Sequence, residues 1–299
     1  MTQLKIKKVS KIKRFFCDLF DFILASIVTL VLFSLVFQPL FNSTTKYKET
    51  YSSYYKALNE TGLYIYDSTK YTCNIITPSF NEEQDPDPQD YYNFYHVKVS
   101  NFYNDNGKPD RFFELQSKSK IFTYVEGKFV LKEDATIKEV YSFYISAIKV
   151  ATDEIFLENV ENANLKKTLN GYYYSMILLS LITSSLILFI GVPLLLDDGQ
   201  TLGKKVFNIK VASLKTGYKV KIKTMLYRQV IVIIVGYIAG TFTFFLSTIA
   251  FYVVSCINKE SKSIADILAN TVLYDNVNPE EGDEVLYINI VEDEKSIKK

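Results

Sequence analysis

The sequence predicts an α-helical multi-pass membrane protein with three or four transmembrane helices, an inserted α+β extracytoplasmic domain and a short cytoplasmic β-hairpin. Three observations carry that prediction. Residues 19–41 hold one charge in 23 positions, residues 172–196 none in 25 and residues 229–257 none in 29. Each run is long enough to cross a hydrocarbon core of about 30 Å. The first 14 residues carry five Lys and Arg14 without an acid, and the segment after the second run is rich in Lys. Loops of that composition stay on the cytoplasmic side. The 42–171 segment holds 14 Tyr and 9 Phe, too many aromatics for a disordered tether and enough for a folded core.

Taken in order, residues 1–18 form a basic cytoplasmic N-terminus and 19–41 the first span. The span ends in Phe37-Gln38-Pro39-Leu40-Phe41, without a small-residue cleavage site, so it reads as an uncleaved anchor. Residues 42–171 are then extracytoplasmic. Tyr47, Tyr51, Tyr54, Tyr55 and Leu58 recur at helical spacing before Gly62. Leu63–Tyr66 and Tyr71–Thr77 read as strands, and Asn81–Asp90 as an acidic, Pro-broken solvated loop. It lacks the alternating ligands and turn Gly of a calcium loop. Asn93–Tyr103 alternates as a strand, and Ile121–Lys132 folds around Glu126-Gly127 as a hairpin. Ile137, Val140, Tyr144, Ile148 and Ile155 then mark one face of an amphipathic helix.

Residues 172–196 form the second span and 197–224 a basic cytoplasmic segment. In it, Val206–Ser213 and Lys219–Ile222 flank Lys215-Thr216-Gly217-Tyr218 as the two strands of a hairpin. The 225–257 run is one long third helix, or, broken near Gly236–Gly240, a short pair returning the chain to its starting side. Residues 258–299 are an acidic C-terminal tail.

Composition excludes several chemistries. With Cys17 and Cys256 in apolar spans, Cys73 has no intramolecular partner, so no disulfide framework exists. His96 is the only histidine, which removes zinc-protease and Ser-His-Asp arrangements. The Gly199–Lys205 stretch resembles a phosphate loop, but three residues rather than four separate Gly199 from Gly203, and Lys205 stands where a Ser or Thr is required. Ser117-Lys118-Ser119-Lys120 and Lys215-Thr216-Gly217 match fragments of penicillin-recognising enzymes but fall on opposite sides of the membrane. No cofactor, metal site or enzymatic activity is expected. The outer segment has 19 acids against 15 bases, so no nucleic acid partner is expected.

What remains is charge in the wrong solvent. Arg14, Asp18 and Asp21 lie at i, i+4 and i+7, within about 60° on one helix face. Asp21 sits at the edge of an apolar run, where a carboxylate is costly unless it is paired or reaches water. Two readings stand: an interfacial ion pair to a basic partner such as Arg228, or a proton or cation site. Asp266, three residues after Ser263, suits a capping box.

Arg14 through Asp21, Asp198 through Lys205, Leu226-Tyr227-Arg228 and Ala265 through Val272, in that order, resemble the RDD family of membrane proteins. The family's arginine and two aspartates map onto Arg14, Asp21 and Asp266, and its G-x-T-x-G-K pattern onto Gly199, Thr201, Gly203 and Lys204. The resemblance covers residues 10–41 and 172–275, which makes 42–171 an insertion. Asn208 stands where Gly is usual, and Ala265 where a His often precedes the last Asp. Two functions are to be weighed, the first suggested by the resemblance and the second by the large aromatic-rich outer segment. One is cation/proton transport through paired carboxylates, in a homo-oligomer because few spans are available. The other is a non-transporting anchor or regulator in the cell membrane, whose outer domain binds a protein or envelope partner. Either form would meet anionic lipid at its basic cytoplasmic face.

Overall fold

A computed structural model describes residues 3–80, 86–196, 199–214, 220–243, 246–258, 262–281 and 283–289. The first part of the acidic loop, the Asp197-Asp198 pair and the 215–219 turn expected of the basic hairpin lie outside the described residues.

In chain order, β1 (Gln3–Lys8) precedes the long helix α1 (Lys11–Thr44), followed by α2 (Tyr47–Glu60). The hairpin β2 (Tyr64–Asp67) and β3 (Thr72–Ile75) comes next, then α3 (Pro88–Asp105) and α4 (Pro109–Lys118). A second hairpin, β4 (Phe122–Val125) and β5 (Lys128–Leu131), leads into α5 (Ile137–Val150) and the long helix α6 (Val160–Leu195). The chain continues through α7 (Leu202–Val206), β6 (Ile209–Ser213) and α8 (Ile222–Phe242). It ends with α9 (Leu246–Ile257), α10 (Ile264–Ala269), β7 (Thr271–Asp275) and β8 (Val285–Asn289). Two compact units result: residues 1–40 with 175–299, and residues 41–174.

The first unit is the membrane part. α1, α6 and α8 are long and apolar enough to cross a bilayer, so the chain is a multi-pass membrane protein. Ala25, Leu181, Leu188, Phe189, Ile233 and Tyr237 form their shared core. Within it, Thr29 Oγ1 lies 2.6 Å from Ser184 Oγ and 2.8 Å from Tyr237 Oη. These three hydroxyls join the three spans through polar contacts that lipid cannot compete for. Each span contains a π-helical turn, at Phe33–Phe37, Leu186–Gly191 and Val232–Ile238.

The apolar third run breaks into two helices, but not at the glycines. The chain turns after Thr243, and α9 folds back along α8. There Thr248 Oγ1 donates to the Gly236 carbonyl at 2.6 Å and Ser247 Oγ to that of Val235 at 2.9 Å. Gly236 and Gly240 therefore face the returning helix rather than make the bend. A Cβ on Gly240 would lie 2.1 Å from Thr248 Oγ1, so the close approach needs glycine.

Among the described residues, the strand partner expected at 219–222 is not paired with β6. β6 pairs instead with β7, from Ile209 opposite Asp275 to Ser213 opposite Thr271, in an antiparallel sheet ordered β6-β7-β1-β8. The reason is burial: β6 buries Ile209, Val211 and Ala212, whereas Ile222 is already the first residue of α8. The tail read as a plain acidic segment supplies two strands and a helix of this assembly.

Residues 41–174 fold around Leu63, Tyr95, Val99, Tyr103, Phe112, Val140, Tyr144 and Ile148. The hairpin read over Ile121–Lys132 is present, with Glu126 and Gly127 at positive φ in its tight turn, and the strands read over 63–66 and 71–77 pair with each other as a second one. The strand expected over Asn93–Tyr103 is part of a helix. Asp87 and Asp90 make a reciprocal capping box with Pro88 at the first helical position, and Tyr95, Val99, Phe102 and Tyr103 form the buried stripe. Alternation at Val97 and Val99 misled, because Val97 is 58% exposed and Val99 fully buried.

That pair gives a direct check. On a strand both valines would share a face. On the helix, Val97→Ser should change unfolding stability by less than about 0.5 kcal/mol, and Val99→Ser should cost about 1–3 kcal/mol, measured by denaturant unfolding of the solubilised protein. Equal costs would contradict the helix.

Candidate functional site

Ionised groups gather where α1, α7, α8 and α10 approach one another. Asp266 sits in the first turn of α10, a helix too short to persist alone. Ser263 caps it, accepting from the Asp266 amide at 3.2 Å, while Asp266 Oδ2 accepts from the Ser263 amide at 3.0 Å and hydroxyl at 2.8 Å. The expected capping box is therefore present, and the carboxylate does more. Arg14 Nη2 donates to Oδ2 at 2.6 Å, and Arg228 Nε to Oδ1 at 2.9 Å. Thr271 Oγ1 adds a contact to Oδ1 at 3.3 Å. Burial alone would raise the Asp266 carboxyl, but the two guanidiniums and the Ser263 amide hold it well below the usual carboxylate range.

Asp21 takes a different set of partners. Thr201 Oγ1 donates to its Oδ2 at 2.5 Å and the Gly203 amide to its Oδ1 at 2.7 Å. Arg228, the partner anticipated for it, is bound to Asp266 instead. The glycine-rich stretch that resembles a phosphate loop thus grips a carboxylate of the chain itself. Its residue types follow from the fit. A Cβ on Gly203 would lie 2.6 Å from the Cys17 carbonyl and 2.8 Å from Asp21 Oδ1. At Gly199, φ is +62° and a Cβ would meet Met225 Sδ at 2.3 Å. Thr201 also caps α7, accepting from the Lys204 amide at 3.3 Å, and receives the Lys204 Nζ at 3.1 Å. Asn208, standing where a glycine is usual, has φ +52°, a conformation that Asn tolerates better than most residues.

Asp18 lies one turn above Arg14, with its Oδ2 3.7 Å from Arg14 Nε and its side chain 43% exposed. A cavity of about 90 Å³ is bordered by Arg14, Asp18, Asp21, Lys204 and Arg228 at its charged end and by Tyr237 on the membrane side. Six of the nine residues singled out from the sequence, Thr201 included, therefore meet at one cavity. Asp266 lies behind the arginines, and Gly199 and Gly203 shape the loop. The sequence reading missed Thr271 and the Thr29–Ser184–Tyr237 hydroxyls, whose only advance signal was polarity inside apolar runs. Among the described residues no group of His, Cys, Asp and Glu is arranged to hold a metal ion.

A bundle of apolar spans, a small sheet and an arginine–aspartate cluster between them define a helical membrane protein with an internal charge network. Residues 134–270 of the chain match the model of the RDD family, a family of membrane proteins. The match begins inside the segment set aside as an insertion and does not reach Arg14, Asp18 or Asp21. No curated protein and no solved structure matches the chain.

Two substitutions probe the network. Asp266→Asn should cost about 3–5 kcal/mol, because it leaves two buried guanidiniums without their charge, read from thermal or denaturant unfolding in detergent. Since the folded carboxyl is held low, its contribution is fully present above about pH 3.9 and declines only below that. The wild-type minus Asp266→Asn difference should thus stay constant from pH 7 to pH 5. Gly203→Ala should destabilise by about 1–3 kcal/mol through overpacking. An ordinary helical Gly→Ala change stabilises by about 1 kcal/mol, so the sign of the effect decides.

Proposed function

We propose that the protein is a non-transporting membrane anchor or regulator, whose charged core is a structural latch and whose 41–174 unit binds a protein or envelope partner. The carrying observation is how fully the two family aspartates are engaged. Asp266 has two guanidiniums, an amide and two hydroxyls on its two oxygens. An exchange site needs a carboxylate that sheds partners when the ion or proton arrives, and this one would have to release both arginines.

The 41–174 unit offers the surface. A cleft of about 810 Å³ has Phe102 and Phe156 in its floor and exposed Lys56, Glu60, Lys98 and Asp105 around it. Mixed charge over an apolar floor suits a polypeptide partner better than a polyanion. The loop-charge asymmetry supports a cytoplasmic N-terminus and an outward-facing 41–174 unit in the cell membrane. The sheet joining β1, β6, β7 and β8 supports a C-terminal segment on the same side as the N-terminus.

Cation/proton exchange keeps one supporting observation, that Asp18 and Asp21 border the same cavity. Proteoliposome flux followed with a pH dye separates the two readings. Wild type and an Asp21→Asn, Asp266→Asn double variant should both match empty vesicles. A wild-type flux abolished in a correctly folded double variant would overturn the anchor reading. Crosslinking from the outer face should then recover a protein partner, with yield reduced by charge reversal at Lys56 and Lys98.

A further inference from the structure

Buried charge lines the cavity of the membrane unit. Around the cavity, three cationic side chains are at least nine-tenths buried: Arg14 at 3% exposure, Lys204 at 4% and Arg228 at 3%. Only two carboxylates there are equally buried, Asp21 at 7% and Asp266 at 0%. The third carboxylate at the cavity, Asp18, lies 3.7 Å from Arg14 and is 43% exposed, so the buried cations are matched in part by a group that faces water, and a buried charge is costly unless a close counter-charge meets it.

Hydrogen bonding points the same way. The Asp266 oxygens are taken by the arginines, Ser263 and Thr271, and the Asp21 oxygens by Thr201 and Gly203. The unused capacity is on the donors. Arg228 Nη1 is buried and has no hydrogen-bond partner among the described residues. Lys204 Nζ has the Thr201 hydroxyl and, among the described residues, no ion pair. Both side chains border the same cavity. Two of its walls come from π-helical turns, which contribute Phe189 from α6 and Val232 and Tyr237 from α8. At about 30 Å³ per water, its 90 Å³ is room for one small tetrahedral oxyanion.

We infer that this cavity binds a phosphate-type oxyanion between Lys204 and Arg228, supplied either by the headgroup of an anionic phospholipid or by free phosphate. A guanidinium and an ammonium converging on one point are the donor set for such a group. The half-exposed Asp18 at the rim competes with it from the water side, and Asp21 borders the same cavity with its oxygens on Thr201 and Gly203. This inference goes beyond the partner-binding reading and stands independently of it, since it concerns the membrane unit alone.

The test uses full-length protein, stripped of lipid in a neutral detergent. Thermal unfolding is followed with inorganic phosphate, with chloride at equal ionic strength, with phosphatidylglycerol and with phosphatidylcholine, and lipid retention is read by native mass spectrometry. Phosphate or phosphatidylglycerol should raise the unfolding midpoint, and chloride and phosphatidylcholine should not. A response to phosphate identifies a soluble anion, and a response to phosphatidylglycerol alone identifies the lipid headgroup. Lys204→Met should weaken the response by about tenfold or more in apparent affinity, with a cooperative unfolding transition in anion-free buffer showing that the variant is folded. Asp18→Asn should strengthen the response. No response to either anion in wild type overturns the proposal. So does an undiminished response in Lys204→Met, or a weakened one in Asp18→Asn.

Discussion

A carboxylate taken wholly out of water loses several kcal/mol of solvation unless charge and hydrogen bonds replace it. For Asp266 the replacement comes from Arg14 on α1, Arg228 on α8, and Ser263 and Thr271 on either side of α10. The group fixes three separate stretches of chain at one point. α10 has six residues, too few to be stable as an isolated helix. Its position is decided by this ion cluster and by the strand that follows. The sheet extends the same constraint, because β1 leads directly into α1 and pairs through Lys7 and Lys8 with Asp275 and Tyr274 of β7.

The second anchor works with different chemistry. Asp21 is not met by a guanidinium but by a threonine hydroxyl and a glycine amide, with the Lys204 ammonium nearby on the same short helix. Backbone donors can reach a carboxylate on a neighbouring helix only if nothing stands between, which is what the missing side chain of Gly203 provides. A phosphate loop and this loop solve the same problem, exposing N–H groups to an anion. Here the anion is covalently part of α1, and the loop's job becomes to seat α7 and β6 against the first span.

Much of this was legible in residue type and spacing. Charge-free runs gave the spans, the i, i+4, i+7 pattern put Arg14, Asp18 and Asp21 on one face, and Ser263 with Asp266 announced the capping box. What local pattern could not supply was pairing between distant segments. Whether Asp21 or Asp266 receives Arg228 depends on how α8 and α10 meet, 38 residues apart at the closest charged pair, and no spacing rule encodes that. The strand partner expected for β6 failed for the same reason. β6 has a strand's alternation, but its partner is the remote β7. At Asn93–Tyr103 the error was of period, since Val97 and Val99 mimic alternation inside a helix whose real signal was the Asp87-Pro88 start. Asn208 shows the converse: a departure from the family pattern is absorbed because its side chain is compatible with the left-handed backbone the position requires.

The same connections bear on whether the core could move. Releasing Asp266 from Arg14 would require α10 to shift away from α1, yet β7 leaves α10 after a single residue and is paired on one edge to β1 and on the other to β6. Such a shift would break backbone ladders as well as the ion cluster, and would strand a carboxylate and two guanidiniums where water is scarce. The Asp21 contact is less encumbered, since it rests on one hydroxyl and one amide at the start of the short helix α7. Any rearrangement of the charged core would therefore begin at the Lys204 end, with the Arg14–Asp266–Arg228 cluster acting as its fixed point.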